Sequence, residues 1–173
     1  MRLFIAIAFP DKIKDRLKAG MDDLRRQGVR ASWSRRENLH LTLEFLGELD
    51  SAKEAIAAME QVQAAPFRLE FAPSGRFRRQ EGDIFWLGIQ PNEGLMELQK
   101  QLHHALQAQG LQLESHPYHP HLTLARHLRD QGEIMFPEPL PPAVLVSEFV
   151  LMLSQRTPKG MRYIRLHRRK LEG

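Results

Sequence analysis

One tetrapeptide occurs twice, at half-chain distance: His40-Leu41-Thr42-Leu43 returns as His121-Leu122-Thr123-Leu124, 81 positions later. In an extended strand successive side chains point to opposite faces. His40 and Thr42 therefore share one face and Leu41 and Leu43 the other, and the second copy sorts in the same way. Each strand is expected to turn its leucines into a core and offer an imidazole and a hydroxyl to a cleft. The period is too long for a solenoid and suits two related lobes of roughly 85 residues. Two such strands facing one another across a pseudo-two-fold axis would bring both imidazoles to one small volume.

That constellation suits attack on a phosphodiester. A neutral imidazole can take the nucleophile's proton while an imidazolium donates to the leaving oxygen. The threonine hydroxyls can hydrogen-bond the non-bridging oxygens, where charge gathers in the transition state. Histidine and arginine can supply the positive charge, so the expected site holds no metal and no cofactor.

The rest of the chain supports an α+β fold. Residues 2–9 alternate and end at Pro10, the pattern of a strand. Ile13, Leu17, Met21 and Leu24 recur at helical spacing from Asp11, a plausible N-cap, to about Arg26. Strand 39–46 closes at Gly47, and a helix is expected over 51–63, with Ser51 capping and Glu54 at the capping-box position. A short strand at 67–72 leads into an Arg-rich turn around Gly75, and a strand follows at 83–90. Leu95, Leu98, Leu102, Ala105 and Leu106 mark a helix that stops at Gly110. After the strand at 121–127, four prolines between 137 and 142 mark a connector. Strands near 143–154 and 161–167 flank a Thr157-Pro158-Lys159-Gly160 turn. This order predicts a bilobal fold, with two pseudo-symmetric antiparallel sheets lining a cleft and helices outside. No linker divides it, so residues 1–173 read as one two-lobed domain.

Composition narrows the chemistry. The chain has no cysteine, which removes disulfides, Cys-based zinc sites and thiol nucleophiles and fits a reducing cytoplasm. No apolar run approaches membrane-spanning length, so no membrane partner is expected. The net charge of +4 and the arginine clusters at 25–36, 76–79 and 162–169 fit a polyanionic partner.

On these residues the chain resembles the two-histidine phosphoesterases, and within them the RNA 2′,3′-cyclic phosphodiesterases, also called LigT-like 2′-5′ RNA ligases. The resemblance rests on Arg2-Leu3-Phe4-Ile5-Ala6, on Glu37 through Gly47, and on His119 through Arg126, and it runs over essentially the full chain. It implies hydrolysis of a terminal 2′,3′-cyclic phosphate on RNA to a 2′-phosphate, with ligation to a 5′-hydroxyl as the reverse-type reaction. By similarity His40 is the proton donor and His121 the proton acceptor, while Thr42 and Thr123 hold phosphate oxygens. Arg126 falls in the family's His-x-Thr-x-x-Arg pattern and is a phosphate ligand. Strict alternation would put it opposite His121, so a bulge or strand end is required there. Phe45, Trp86, Tyr118 and Tyr163 are candidates for stacking on a base, with core packing as the plainer alternative for each. A monomer acting on RNA ends is expected. The basic segment Leu166-His167-Arg168-Arg169-Lys170 departs from the apolar ending expected of the family.

Two other readings compete. His116, His119, His121 and His127 lie close enough in sequence for a metal site, although Pro117 and Pro120 stiffen the run and no carboxylate stands at ligand-like spacing. The adjacent His103 and His104 lie on a helix and point apart, which favours the surface. A non-catalytic RNA-binding module would use the basic face but leaves the echo unexplained.

Overall fold

The computed structural model describes residues 1–172. Three helices and ten strands occur among them, in the order β1 (Arg2–Ala8), α1 (Asp11–Arg26), β2 (Ser32–Trp33), β3 (His40–Glu48), α2 (Lys53–Gln61), β4 (Phe67–Leu69), β5 (Phe71–Phe77), β6 (Asp83–Ile89), α3 (Glu93–Ala108), β7 (His121–Leu128), β8 (Val144–Val146), β9 (Glu148–Thr157) and β10 (Gly160–Lys170). The α+β expectation holds. One antiparallel sheet runs β10-β9-β1-β3, a second β2-β7-β6-β5, and β4 pairs with β8 in a small third. Strands β3 and β7 lie against each other where the two large sheets meet.

The lobes are not successive halves of the chain. The first sheet takes β1 and β3 from the N-terminal part and β9 and β10 from the C-terminus, while β2 crosses to pair with β7. Both share one apolar core. Leu3, Ile5, Ile7, Leu41 and Leu43 of the first sheet join Ile13, Leu17 and Met21 of α1. The same core holds Phe85, Leu87, Leu122 and Leu124 of the second sheet with Leu95, Leu98, Leu102 and Leu106 of α3. The helices cover this apolar side, as their spacing dictated, and leave the opposite strand faces for a site.

Several local expectations shift. Pro10, not Asp11, stands at the N-cap of α1, and the Asp11 carboxylate accepts from Arg36 instead. Helix α2 is shorter than 51–63, and Ser51 stands just outside its N-cap, where its hydroxyl accepts from the Lys53 amide at 3.1 Å. The expected strand at 67–72 breaks into β4 and β5, and Gly75 lies inside β5 rather than in a turn. The strand near 143–154 splits at Ser147 into β8 and β9. The basic ending packs after all. β10 is an edge strand whose charges guard it against further pairing, with His167 and Arg169 turned to Glu60 and the Val62 carbonyl.

Gly20 shows packing overruling helix propensity. A Cβ there would stand 2.2 Å from the Phe136 ring, which anchors the proline-rich connector on α1. Alanine in mid-helix gains about 1 kcal/mol over glycine, whereas forcing extra volume into a packed contact costs about 1–3 kcal/mol. Gly20→Ala is therefore expected to lower the urea midpoint, and the added Phe136→Leu change to recover part of the loss. A raised midpoint in the single variant would contradict this packing.

Candidate active site

Each motif strand carries a bulge at the same place. In β3, Ala6 of β1 faces Thr42 and Ile5 faces Glu44, so Leu43 is the extra residue. In β7, Trp86 of β6 faces Thr123 and Phe85 faces Ala125, so Leu124 is the extra residue, 81 positions after Leu43. A second irregularity falls at Leu46 and at Arg126–His127, where His127 takes a positive φ of 57°. A bulge places two residues against one and reverses the alternation beyond it. Leu43-Glu44 and Leu124-Ala125 are accordingly buried in pairs, and the next residue of each strand, Phe45 and Arg126, is exposed. The bulge that Arg126 required exists, and it returns Arg126 to the side of His121 and Thr123. The same device presents Phe45 beside His40 and Thr42, 66% exposed.

The imidazoles are held alike. His40 Nδ1 donates to the Asn38 carbonyl at 2.7 Å, and His121 Nδ1 donates to the His119 carbonyl at 2.7 Å. In each case the acceptor lies two residues back. With the proton fixed on Nδ1, Nε2 carries the exchangeable position. His40 Nε2 meets the Thr42 hydroxyl at 2.9 Å. Burial holds the His40 pKa below its ordinary value, the Asn38 carbonyl opposes this, and the charges of Arg126 and Lys14 add to it. Burial likewise lowers His121, opposed by the His119 carbonyl and reinforced by Arg126 and His119. The Arg126 charge thus acts on both histidines, and it also bears on Tyr163.

Aromatic rings frame each imidazole. Phe4 lies 4.8 Å and Tyr163 5.3 Å from His40, ring centre to ring centre. Phe77 stands edge-on to His121 at 4.9 Å, with Trp86 at 6.4 Å. Gly75 leaves room for the Trp86 indole, since a Cβ there would stand 2.3 Å from it. Phe4 and Phe77 were not among the sequence candidates. Phe4 belongs to the Arg2–Ala6 segment that carries part of the resemblance and Phe77 to no motif, but neither position marks a wall residue, and only the sheet pairing brings them beside the histidines. Tyr118 donates its hydroxyl to the Thr42 carbonyl at 2.7 Å, which ties the approach to β7 onto β3, and burial raises its pKa.

The remaining histidines go elsewhere. His103 departs from its expected surface placement: its Nδ1 donates to buried Glu44 at 2.6 Å, and Gln99 of α3 donates to the same oxygen at 2.8 Å. His116 pairs with Glu114, and His127 contacts the Ser32 hydroxyl at 3.0 Å. Among the described residues no group of three or more His, Cys, Asp or Glu is placed to hold an ion. Among the described residues no helix is long and apolar enough to cross a membrane. The adjoining strands β3 and β7 carry two exchangeable ring nitrogens, two hydroxyls and a guanidinium to the meeting of the two large sheets, a set of groups that suits proton transfer to and from a phosphate ester.

The chain is similar to known proteins over most of its length. The family model of the 2′-5′ RNA ligase superfamily matches residues 9–158. The RNA 2′,3′-cyclic phosphodiesterase of Thermotoga maritima is 33% identical over 100% of this chain and 97% of its own. The Escherichia coli protein of the same description is 34% identical over 76% of this chain and 75% of its own. The crystal structure of E. coli LigT in apo form superposes with a TM-score of 0.82 at 29% identity, covering 99% of this chain and 98% of that one.

Proposed function

The chain belongs to the 2′-5′ RNA ligase superfamily, and from that premise we propose that it is an RNA 2′,3′-cyclic phosphodiesterase that leaves a 2′-phosphate. The observation that supports this reading is the duplicated bulged strand, which carries His40 and His121 on adjoining strands with the Arg126 charge bearing on both.

The steps balance with protein groups alone. Water attacks phosphorus while His121 Nε2 takes its proton. The bond from phosphorus to O3′ breaks, and protonated His40 gives its Nε2 proton to that oxygen. The product is a 2′-phosphate monoester and a free 3′-hydroxyl, and the two imidazoles exchange protons with solvent before the next turnover. Arg126, Thr42 and Thr123 hold the non-bridging oxygens, where charge builds. His40 is enclosed by Phe4 and Tyr163, whereas His121 is the less buried of the pair and more open to water. That difference favours His121 as the base. Phe45, on the equivalent position to Arg126 in the other strand, faces the nucleoside, and Tyr118 acts behind the site through Thr42. A 5′-hydroxyl entering in place of water would join two RNAs by a 2′-5′ bond. Both motifs come from one chain, so a monomer suffices, and the reducing cytoplasm suits a chain without cysteine.

The test is turnover of an oligoribonucleotide ending in a 2′,3′-cyclic phosphate, in EDTA, with analysis of the product end. Undiminished turnover to a 2′-phosphate is expected. Loss of activity in EDTA would place an ion in the chemistry, and a 3′-phosphate product would overturn the assigned leaving group.

A further inference from the structure

The two carbonyls that hold the imidazoles stand outside the strands, where backbone is least constrained. Asn38 ends a single 3-10 turn, Arg36–Asn38, just before β3. His119 lies in the connection between α3 and β7, residues 109–120, which contains no helix or strand. A neutral imidazole keeps its proton on Nδ1 only while the acceptor at that nitrogen stays in place. An unanchored carbonyl would release the ring to the other tautomer, with a proton on Nε2 where the base needs a lone pair.

Each carbonyl is tied down by one side chain of its own segment. Asn38 Nδ2 donates to the Met161 carbonyl of β10 at 3.0 Å, while the Asn38 carbonyl accepts from His40. Tyr118, the neighbour of His119, donates its hydroxyl to the Thr42 carbonyl of β3 at 2.7 Å. Among the described residues that is the one hydrogen bond by which residues 112–120 reach any part of the chain other than His121. Pro117 and Pro120 have no N–H to offer and stiffen the run on either side, so a fixed Tyr118 fixes the His119 carbonyl with it. The Tyr118 ring packs at the edge of the common core. Its acceptor is the residue whose hydroxyl meets His40 Nε2 at 2.9 Å. The anchor of the second half-site therefore ends on the first.

Resting on the cyclic phosphodiesterase reading, we propose that Asn38 and Tyr118 are positioning residues, one for each half-site. Through the Asn38 and His119 carbonyls they set the tautomers of His40 and His121, and through Thr42 the Tyr118 hydroxyl also holds one half-site against the other. Both act from behind the imidazoles, without touching substrate.

Tyr118→Phe keeps the packed ring and loses only the hydroxyl; Asn38→Ala keeps the backbone carbonyl and loses its anchor. Each is expected to lower kcat on a cyclic-phosphate-ended oligonucleotide about 10-fold with KM little changed, the lower end for a hydrogen bond that orients an active group from behind. The second readout is nitrogen NMR of the histidine rings in the free enzyme, at a pH where both are neutral. The wild type is expected to carry the proton on Nδ1 of His40 and of His121. In Tyr118→Phe the His121 ring should become a mixture of tautomers while His40 keeps its own, and in Asn38→Ala the reverse. A general loss of packing would not sort the two rings in this way. Should Asn38→Ala fail to fold, Tyr118→Phe decides. Rings that keep the Nδ1 proton in the variants, a wild-type ring with its proton on Nε2, or an unchanged kcat overturns the positioning roles and leaves the hydrolase reading intact. A wild type that does not open the cyclic phosphate overturns that reading, whatever the tautomers.

Discussion

Alanine at His40 or at His121 is expected to lower kcat/KM on a cyclic-phosphate-ended oligonucleotide by about 10²–10⁴-fold, the usual contribution of one positioned proton-transfer group. Fold should survive both changes. Each imidazole faces the cleft, its one backbone bond goes to a carbonyl two residues away, and the leucines beside it carry the burial. Circular dichroism and the urea midpoint check that point, with His40 the more sensitive because Phe4 and Tyr163 pack on it. The double variant should be little worse than the worse single one, since acid and base act in one concerted event. Multiplicative losses would mean that the two histidines act independently, and the concerted scheme would then fail.

Arg126→Ala is the second large effect, expected to remove about 10²–10³-fold from kcat, the range for one preorganised donor aimed at developing charge. A purely structural role predicts a drop in stability instead, but Arg126 is exposed and forms no ion pair among the described residues. The pH profile separates the two further. Burial and Arg126 lower both histidines from their ordinary value, so the singly protonated free enzyme is most abundant on the acid side of the ordinary imidazole range. A bell-shaped kcat/KM profile displaced to the acid side is expected. Removing the Arg126 charge relieves one cause of the depression, both imidazoles protonate more readily, and both limbs should move to higher pH in Arg126→Gln. An unmoved profile would show that the guanidinium lies too far from the imidazoles to serve the phosphate. Lysine at 126 should retain part of the rate as a point charge without the fork.

How much of this was legible in the chain follows from the range of each interaction. Alternation along one strand is local, so the shared face of His40 and Thr42, and of His121 and Thr123, could be read directly, as could the apolar stripes of α1 and α3. The need for a bulge before Arg126 was legible as a conflict between motif and alternation. Its place at Leu124, and its twin at Leu43, were not, because a bulge is defined by the partner strand, and the partners β6 and β1 are 35 or more positions away. Tyr118 and His103 were legible only as an aromatic and a surface histidine. Their roles, on the Thr42 carbonyl and on Glu44, arise because α3 and the approach to β7 pack behind β3.

By itself, then, the sequence determined the two half-sites, the apolar side of every long element and the absence of thiol chemistry, since each depends on residue type and near spacing. Only the tertiary structure decided that the C-terminal hairpin completes the first sheet, that β2 crosses to the second, and that Phe4, Phe77 and Tyr163 stand around the imidazoles. Those are contacts between segments far apart in the chain, and their geometry is set by strand pairing and by burial of a common core. The paired histidines could be seen in advance; the charge and the walls that make them a site came with the fold.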